Sequence, residues 1–259
     1  MRQFCTVAMV IVVAFAAAGR VRADDAEVKA VLDKAIKALG GEAKLGKVDA
    51  YSVKAKGTIT FGGNDNEFTT ELTAQGLDRY RSEFEGEFGG NKVRGVTVVN
   101  GDRGWRKFGD NNMELDVNGV ANEKRTIYLQ VTPVTILPLK GKGFKLESAP
   151  DEKDGARTLA VLKVTAPDGK DFTLAFDKDT GLPARMVARV AGFQGQEFTQ
   201  QTNYSDYKDF DGVKKATKVE SRRDGAADSL DLLREFLSLN QAEIMHGRWC
   251  DLTELDLRD

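Results

Sequence analysis

Residues 79–88 read RYRSEFEGEF, and this stretch decides the fold class. Tyr80, Phe84 and Phe88 fall on even-numbered positions, and an arginine or a glutamate fills every odd-numbered position from 79 to 87. Because successive side chains of a β-strand point to opposite faces, this period of two predicts a strand with one covered face and one solvated face. Similar alternation on both sides of a glycine-rich turn within 51–74 predicts meandering antiparallel neighbours.

The pattern continues toward the C-terminus. Asn100-Gly101 suits the tight turn of a hairpin between 96–99 and 103–108, because both central residues of that turn need positive φ. Further strands are predicted at 143–147, 157–164, 171–176, 182–190, 197–204 and 213–220, with turns rich in Asp, Gly and Pro between them. Short connections and regular spacing favour an α+β fold built on a curved antiparallel sheet, or an unclosed β-barrel with capping helices.

Three segments have helical rather than alternating spacing. The segment 24–39 predicts a helix that ends at Gly40-Gly41, because glycine is the usual residue after a helix. The segment 118–139 predicts a short helix followed by an irregular apolar stretch interrupted by two prolines. The last segment, 229–259, is predicted to be a partly helical C-terminal tail.

The N-terminus has the layout of a secretory signal peptide over residues 1–23. Arg2 precedes an apolar stretch from Phe4 to Gly19, and small residues flank Arg22 before acidic Asp24. The stretch is shorter than the ~20 residues of a membrane span, although an uncleaved anchor remains the alternative. Cys5 lies at the start of the apolar stretch and not at the cleavage point, so no lipid anchor is expected there. We predict an exported, periplasmic protein whose main domain spans 24–228.

Charge and cysteine content narrow the class of protein further. Cleavage after Ala23 removes three arginines and no acid, which changes the formal charge from −2 to −5 and leaves 236 of 259 residues. An acidic chain lacks the electrostatic footprint of a nucleic-acid-binding protein. Cys250 is the one cysteine left, so no intramolecular disulfide is possible. We expect a monomer without a cofactor.

Few residues suggest catalysis or metal binding. His246 and Cys250 could form a nucleophilic pair, but a chain terminus is a poor scaffold for one. Three glutamates, at positions 83, 85 and 87, share a strand face with arginines, as a solvated surface does. The run 177–181 resembles the start of a calcium loop but lacks its distal ligands, so a turn is favoured. We predict no catalytic and no metal-ligating residue.

The apolar face of the sheet is the remaining functional candidate. Its side chains either form an ordinary packed core or leave a cavity for an apolar ligand between the sheet and its helices. From alternation alone, eight residues are predicted to line that cavity: Phe68, Leu72, Tyr80, Phe84, Trp105, Leu174, Phe176 and Met186.

Four stretches resemble a known superfamily. They are KAIKALGGEAKLGKVDAYSVKAKGTITF (34–61), FTTELTAQGLDRYRSEF (68–84), FTLAFDKDTGLPARM (172–186) and YSDYKDFDGVKKATKVE (204–220). They resemble exported bacterial proteins of the LolA/LolB-like outer-membrane lipoprotein-sorting superfamily, most closely its divergent, planctomycete-type members. The resemblance covers about 26–220. It implies an unclosed antiparallel β-barrel whose opening is capped by helices.

The resemblance also implies a non-enzymatic role. Members of this superfamily carry the acyl chains of lipoproteins or bind envelope proteins, so a lipoprotein acyl chain or an envelope protein is the expected partner. Two hypotheses follow: a carrier of lipoprotein acyl chains or another apolar ligand, or a partner-binding module with a filled core. A hydrolase that uses His246 and Cys250 is a distant third. One departure stands out: the superfamily has a last strand where 226–259 looks helical.

Overall fold

In this computed structural model, the chain is described over residues 11–48, 50–61, 64–191, 196–224 and 229–238. The helices are α1 (Ile11–Leu39), α2 (Glu42–Leu45) and α3 (Val117–Thr135), and a 3-10 turn follows at Leu137–Lys140. The strands are β1 (Ala50–Phe61), β2 (Asn64–Gln75), β3 (Arg79–Phe88), β4 (Asn91–Asn100), β5 (Arg103–Phe108), β6 (Asn111–Glu114), β7 (Lys145–Asp154), β8 (Arg157–Thr165), β9 (Asp171–Asp177), β10 (Pro183–Ala191), β11 (Glu197–Phe210), β12 (Val213–Arg223) and β13 (Ser229–Ser238).

The strands form one antiparallel sheet made of two six-stranded meanders. Its order is β6-β5-β4-β3-β2-β1-β13-β12-β11-β10-β9-β8-β7, so β13 joins the two halves. In the described part of the chain, β6 and β7 each pair on one side only, and the sheet is therefore an open half-barrel. The predicted antiparallel, unclosed architecture is confirmed.

The central strand β13 corrects the prediction for the end of the chain. The segment Ser229–Ser238 is a strand, not a helix: Ser229 pairs with Thr60 of β1 and Arg222 of β12, and Leu233 pairs with Lys56 and Lys218. The backbone groups of β1 and β12 would otherwise lack partners, and satisfying them outweighs the helical spacing of the leucines. Residues 239–259, including His246 and Cys250, lie outside the described residues.

The helices differ from the prediction in length. Helix α1 extends before Asp24 as far as Ile11, the first residue that the structure describes. The alanine-rich composition of this stretch favours a helix, and Gly19 does not interrupt it. Helix α3 is 19 residues long and includes Pro133 in its last turn. There the proline removes only one hydrogen bond, and the helix ends instead at Ile136, which has φ 60°.

Both long helices cover the same face of the sheet. Ile36 of α1 and Leu129 of α3 share one buried cluster with Phe172, Leu174 and Val219 from the strands. We call this helix-covered face the inner face. Most of the apolar area that stabilises the protein is removed from water here, at about 25 cal/mol per Å².

Candidate functional site

Helix α3 is fixed across the inner face by polar contacts on two of its sides, made by Glu123, Lys124 and Arg125. Arg125 donates from Nη2 to the Asp171 carbonyl at 2.7 Å and from Nη1 to the Lys170 carbonyl at 3.2 Å. On the other side, Lys124 Nζ donates to Asp102 Oδ1 at 2.6 Å, and Glu123 accepts from Arg106. These contacts join the β8–β9 hairpin to the β4–β5 hairpin through one helix.

Two of these groups are buried, which affects how they titrate. Burial raises the pKa of Glu123, and the guanidinium of Arg106 acts in the opposite direction. Burial also lowers the pKa of Arg125, against the attraction of Asp168 and Asp171. Glu123 accepts from Arg106, and both Nη groups of Arg125 donate to backbone carbonyls, although Arg125 Nε is buried without a partner. These contacts hold α3 in place.

Four predicted lining residues are packed in the core. Tyr80, Leu174, Phe176 and Met186 are at most 3 % exposed. Tyr80 also donates its hydroxyl to Gln130 Oε1 at 3.1 Å. These side chains are closed off from solvent and hold the two halves of the sheet against the helices.

Little empty space remains beneath the helices. The cavity beside the predicted lining residue Leu72 measures about 60 Å³ and is bounded by Tyr51, Val53, Gln130 and Val134 among others. Pockets that enclose a small molecule are typically about 300–1,000 Å³. In the described part of the chain, this space therefore holds no more than a water molecule or two.

Two more predicted residues, Phe68 and Phe84, begin an aromatic surface at the far end of the inner face. The Phe68 and Phe84 rings stack at 5.2 Å between centroids, and Phe84 and Phe88 stack at 5.9 Å. Gly95 pairs with both Phe84 and Phe108, which places these two phenylalanines on the same face. A Cβ atom at Gly95 would lie 3.3 Å from the Phe108 ring. The glycine therefore leaves room for that ring.

This surface ends in side chains that remain open to water. Phe108 is 50 % exposed and Met113 is 51 % exposed. Met113 pairs with Arg106, two residues before Phe108, and so belongs to the same face. We call Phe68, Phe84, Phe88, Phe108 and Met113 the aromatic strip. Sequence analysis placed Phe88 on this face but missed Phe108 and Met113, although alternation along β5 from the Asn-Gly turn predicts the position of Phe108.

The prediction for Trp105 is wrong. Trp105 pairs with Val98, which pairs with Arg81, whereas Tyr80 pairs with Val99. Neighbouring residues of a strand point to opposite faces, so Trp105 lies on the face opposite to Tyr80. The strand was identified correctly, but its register against β4 was needed to decide which face the indole occupies.

Two larger cavities border the charged side chains of this opposite face, and Phe68 and Phe84 also contribute to their linings. One of about 700 Å³ is lined by Lys56, Glu67, Glu85 and Lys92 among others. A second of about 540 Å³ is lined by Lys54, Glu71, Glu83 and Arg94 among others. Glu83 is bonded to Arg81 and Arg94, and although partial burial opposes the effect, these arginines lower its pKa. Glu83 is ion-paired, and Glu85 and Glu87 are exposed, so the glutamate row is a solvated strand surface, as its sequence pattern predicted.

The run 177–181 forms a turn. Asp177 Oδ1 accepts hydrogen bonds from the backbone N–H groups of Asp179 at 3.0 Å and Thr180 at 2.8 Å. Partial burial works to raise the pKa of Asp177, but the bonds from Thr180 and Asp179 lower it overall. Among the residues the structure describes, no group of three or more His, Cys, Asp and Glu side chains could hold a metal ion.

None of the helices that the structure describes is both long enough and apolar enough to cross a bilayer.

Comparison with known proteins shows similarity at the level of fold alone. No protein-family model and no curated protein matches the chain. Among solved structures, a LolA superfamily protein from Nitrosomonas europaea superposes with a TM-score of 0.57 at 10 % identity, covering 86 % of this chain and 98 % of that one.

Two further structures extend the comparison. A DUF1329 family protein from Desulfovibrio piger has a TM-score of 0.52 at 14 % identity and covers 85 % of this chain and 98 % of its own. A putative outer membrane lipoprotein-sorting protein domain from Vibrio parahaemolyticus, at 9 % identity over 82 % of this chain and 96 % of its own, has a TM-score of 0.49, too low to support a conclusion. The chain therefore has a LolA-like fold.

Proposed function

We propose that this protein is an exported, non-catalytic carrier that holds a lipoprotein acyl chain or another apolar group against the aromatic strip of its half-barrel. One observation carries the proposal: the stacked Phe68, Phe84 and Phe88 continue into Phe108 and Met113, which are about half exposed. Exposed apolar surface that continues from a buried core is the usual mark of a binding surface.

The dense packing beneath the helices favours the aromatic strip over the deep core as the binding site. The space beneath α3 is about 60 Å³, and Arg125 holds that helix down. An acyl chain on the strip needs no movement of α3. Each methylene group that the strip removes from water contributes about 0.8 kcal/mol to binding.

A partner-binding module without a lipid ligand is the second candidate. The filled core favours it, and so does the short strand β6, which pairs only with β5 among the described residues and carries Met113. An open strand edge beside apolar side chains suits the addition of a strand from another protein.

The test combines native mass spectrometry with a measurement of dye binding. Native mass spectrometry of periplasm-purified protein, followed by lipid extraction, should find a co-purifying acyl species. Nile red, a neutral apolar dye, should bind the wild type, and the double variant Phe108→Ser/Met113→Ser should bind it at least fivefold more weakly, because the strip loses its exposed apolar area.

Val117→Ser is the matched control, since Val117 is 86 % exposed and lies outside the strip. It should leave dye binding unchanged. Two results together would remove the basis for a carrier and favour the partner-binding module. The first is a native mass that corresponds to the protein without a lipid, and the second is equal dye binding by the wild type and the double variant.

A further inference from the structure

Arg223 stands at the rim of the inner face, at the end of β12. It pairs with Gln200 of β11, and its Nε donates to Gln200 Oε1 at 3.2 Å. Its Cζ lies 5.9 Å from the centre of the Phe198 ring. Phe198 pairs with Val190, which packs against the main core cluster. These neighbours place the guanidinium on the helix-covered face, at its open end.

The sheet register relates Arg223 to the aromatic strip. Two residues before Arg223, Ser221 pairs with Leu230 of β13, and Leu230 pairs with Ile59 of β1. Along the same row of the sheet, Ile59 pairs with Asn66, close to the end of β3 that carries Phe88. Strands are about 4.8 Å apart, so along the curved sheet Arg223 lies roughly 10 Å from β1, 20 Å from β3 and 30 Å from β5, which carries Phe108. An extended acyl chain of 18 carbons can therefore run from the guanidinium onto the strip.

Among the residues that the structure describes, no acidic side chain forms an ion pair with Arg223. The other arginines that hold the inner face are paired: Arg106 with Glu123, and Arg125 with Asp168 at 3.7 Å. Among the described residues, the contacts of the Arg223 side chain are the Gln200 amide oxygen and the Phe198 ring. Both terminal Nη groups of its guanidinium are therefore available to an acceptor from outside.

We propose that Arg223 binds the carboxylate of a fatty acid whose chain lies on the aromatic strip. This inference rests on the proposed function and names the chemistry of its ligand. The two Nη groups of a guanidinium match the two oxygens of a carboxylate, and such bonds are strengthened by charge on both partners. Phe198 shields one side of the guanidinium from water, which makes the ion pair stronger than one on an open surface.

The experiment compares two ligands that share a chain and differ in charge. Oleate and oleyl alcohol, which share one 18-carbon chain, are each used to displace Nile red at pH 8, where the carboxylate is ionised. On the wild type, oleate should displace the dye at about tenfold lower concentration than oleyl alcohol. Arg223→Gln should remove most of this preference and leave the oleyl alcohol result unchanged.

Arg222→Gln is the matched control, because Arg222 is the neighbouring residue on the opposite face and its Nη1 donates to the Ser221 carbonyl. This variant should keep the preference for oleate. Equal displacement of the dye by the two ligands on the wild type would overturn the role of Arg223 while leaving the carrier intact. An equal loss of displacement by both ligands in Arg223→Gln would also overturn it, since that result indicates a structural role. Failure of both ligands to displace the dye would contradict the proposed function itself.

Discussion

Lys215 allows a stability prediction whose sign depends on pH. Its side chain is 5 % exposed and its Nζ donates to the Val134 carbonyl, in the last turn of α3, at 2.6 Å. The side chains around it from β11 and its own strand are Tyr204, Tyr207 and Lys214, with no carboxylate among them. Burial lowers the pKa of Lys215 from 10.5 to about 7.

The sign follows from comparing the folded and unfolded chains. Between about pH 7 and 10.5, the unfolded chain holds a proton on Lys215 that the folded chain has lost, so the stability of the wild type rises with pH across this window. Below pH 7 both states are charged and the full penalty of burying the ammonium is present. At about 1.36 kcal/mol per pKa unit, that penalty is roughly 5 kcal/mol.

Lys215→Met removes the penalty and the hydrogen bond together. Because the bond contributes about 1 kcal/mol, the variant should be more stable than the wild type at pH 6 by about 2 to 4 kcal/mol. The difference should shrink as the pH rises from 7 to 10 and disappear or reverse above that.

Urea unfolding, followed by circular dichroism at several pH values, measures this difference. Lys214→Met is the control, since Lys214 is an exposed neighbour of the same residue type, and it should show no comparable pH dependence. A stability difference between Lys215→Met and the wild type that stays constant from pH 6 to 10 would refute the reasoning, as would a less stable variant at pH 6.

Two further predictions concern α3, and both use the same urea assay. Ile127 is fully buried, so Ile127→Ala should lower the free energy of unfolding by about 2 to 5 kcal/mol; a loss below 1 kcal/mol would contradict the tight packing under α3. Asp116 Oδ1 accepts from the Gly119 backbone N–H at 2.7 Å as the cap of α3, so Asp116→Ala should cost about 1 kcal/mol. Asp116→Asn keeps a capping oxygen and should therefore lose less stability than Asp116→Ala. An equal loss of stability in the two variants would argue against the cap.

Part of the candidate site was accessible to sequence analysis. Alternation along β2 and β3 placed Phe68 and Phe84 on one face, and these residues do stack there. Alternation alone could not place Trp105, whose face depends on how β5 pairs with β4. Nor could it show that Tyr80 is sealed in the core while Phe108 remains half exposed, because helix coverage is a property of the folded chain.

The sequence by itself determined the antiparallel meander, since the period of two, the turn residues and the helical stretches are local features that each segment carries alone. Only the tertiary structure decided that Ser229–Ser238 becomes the strand between β1 and β12. The leucine spacing there is compatible with a helix or a strand, and the unpaired backbone groups of two distant strands choose between them. The same long-range pairing brings Arg223 to the rim of the inner face, a neighbourhood that no stretch of sequence encodes by itself.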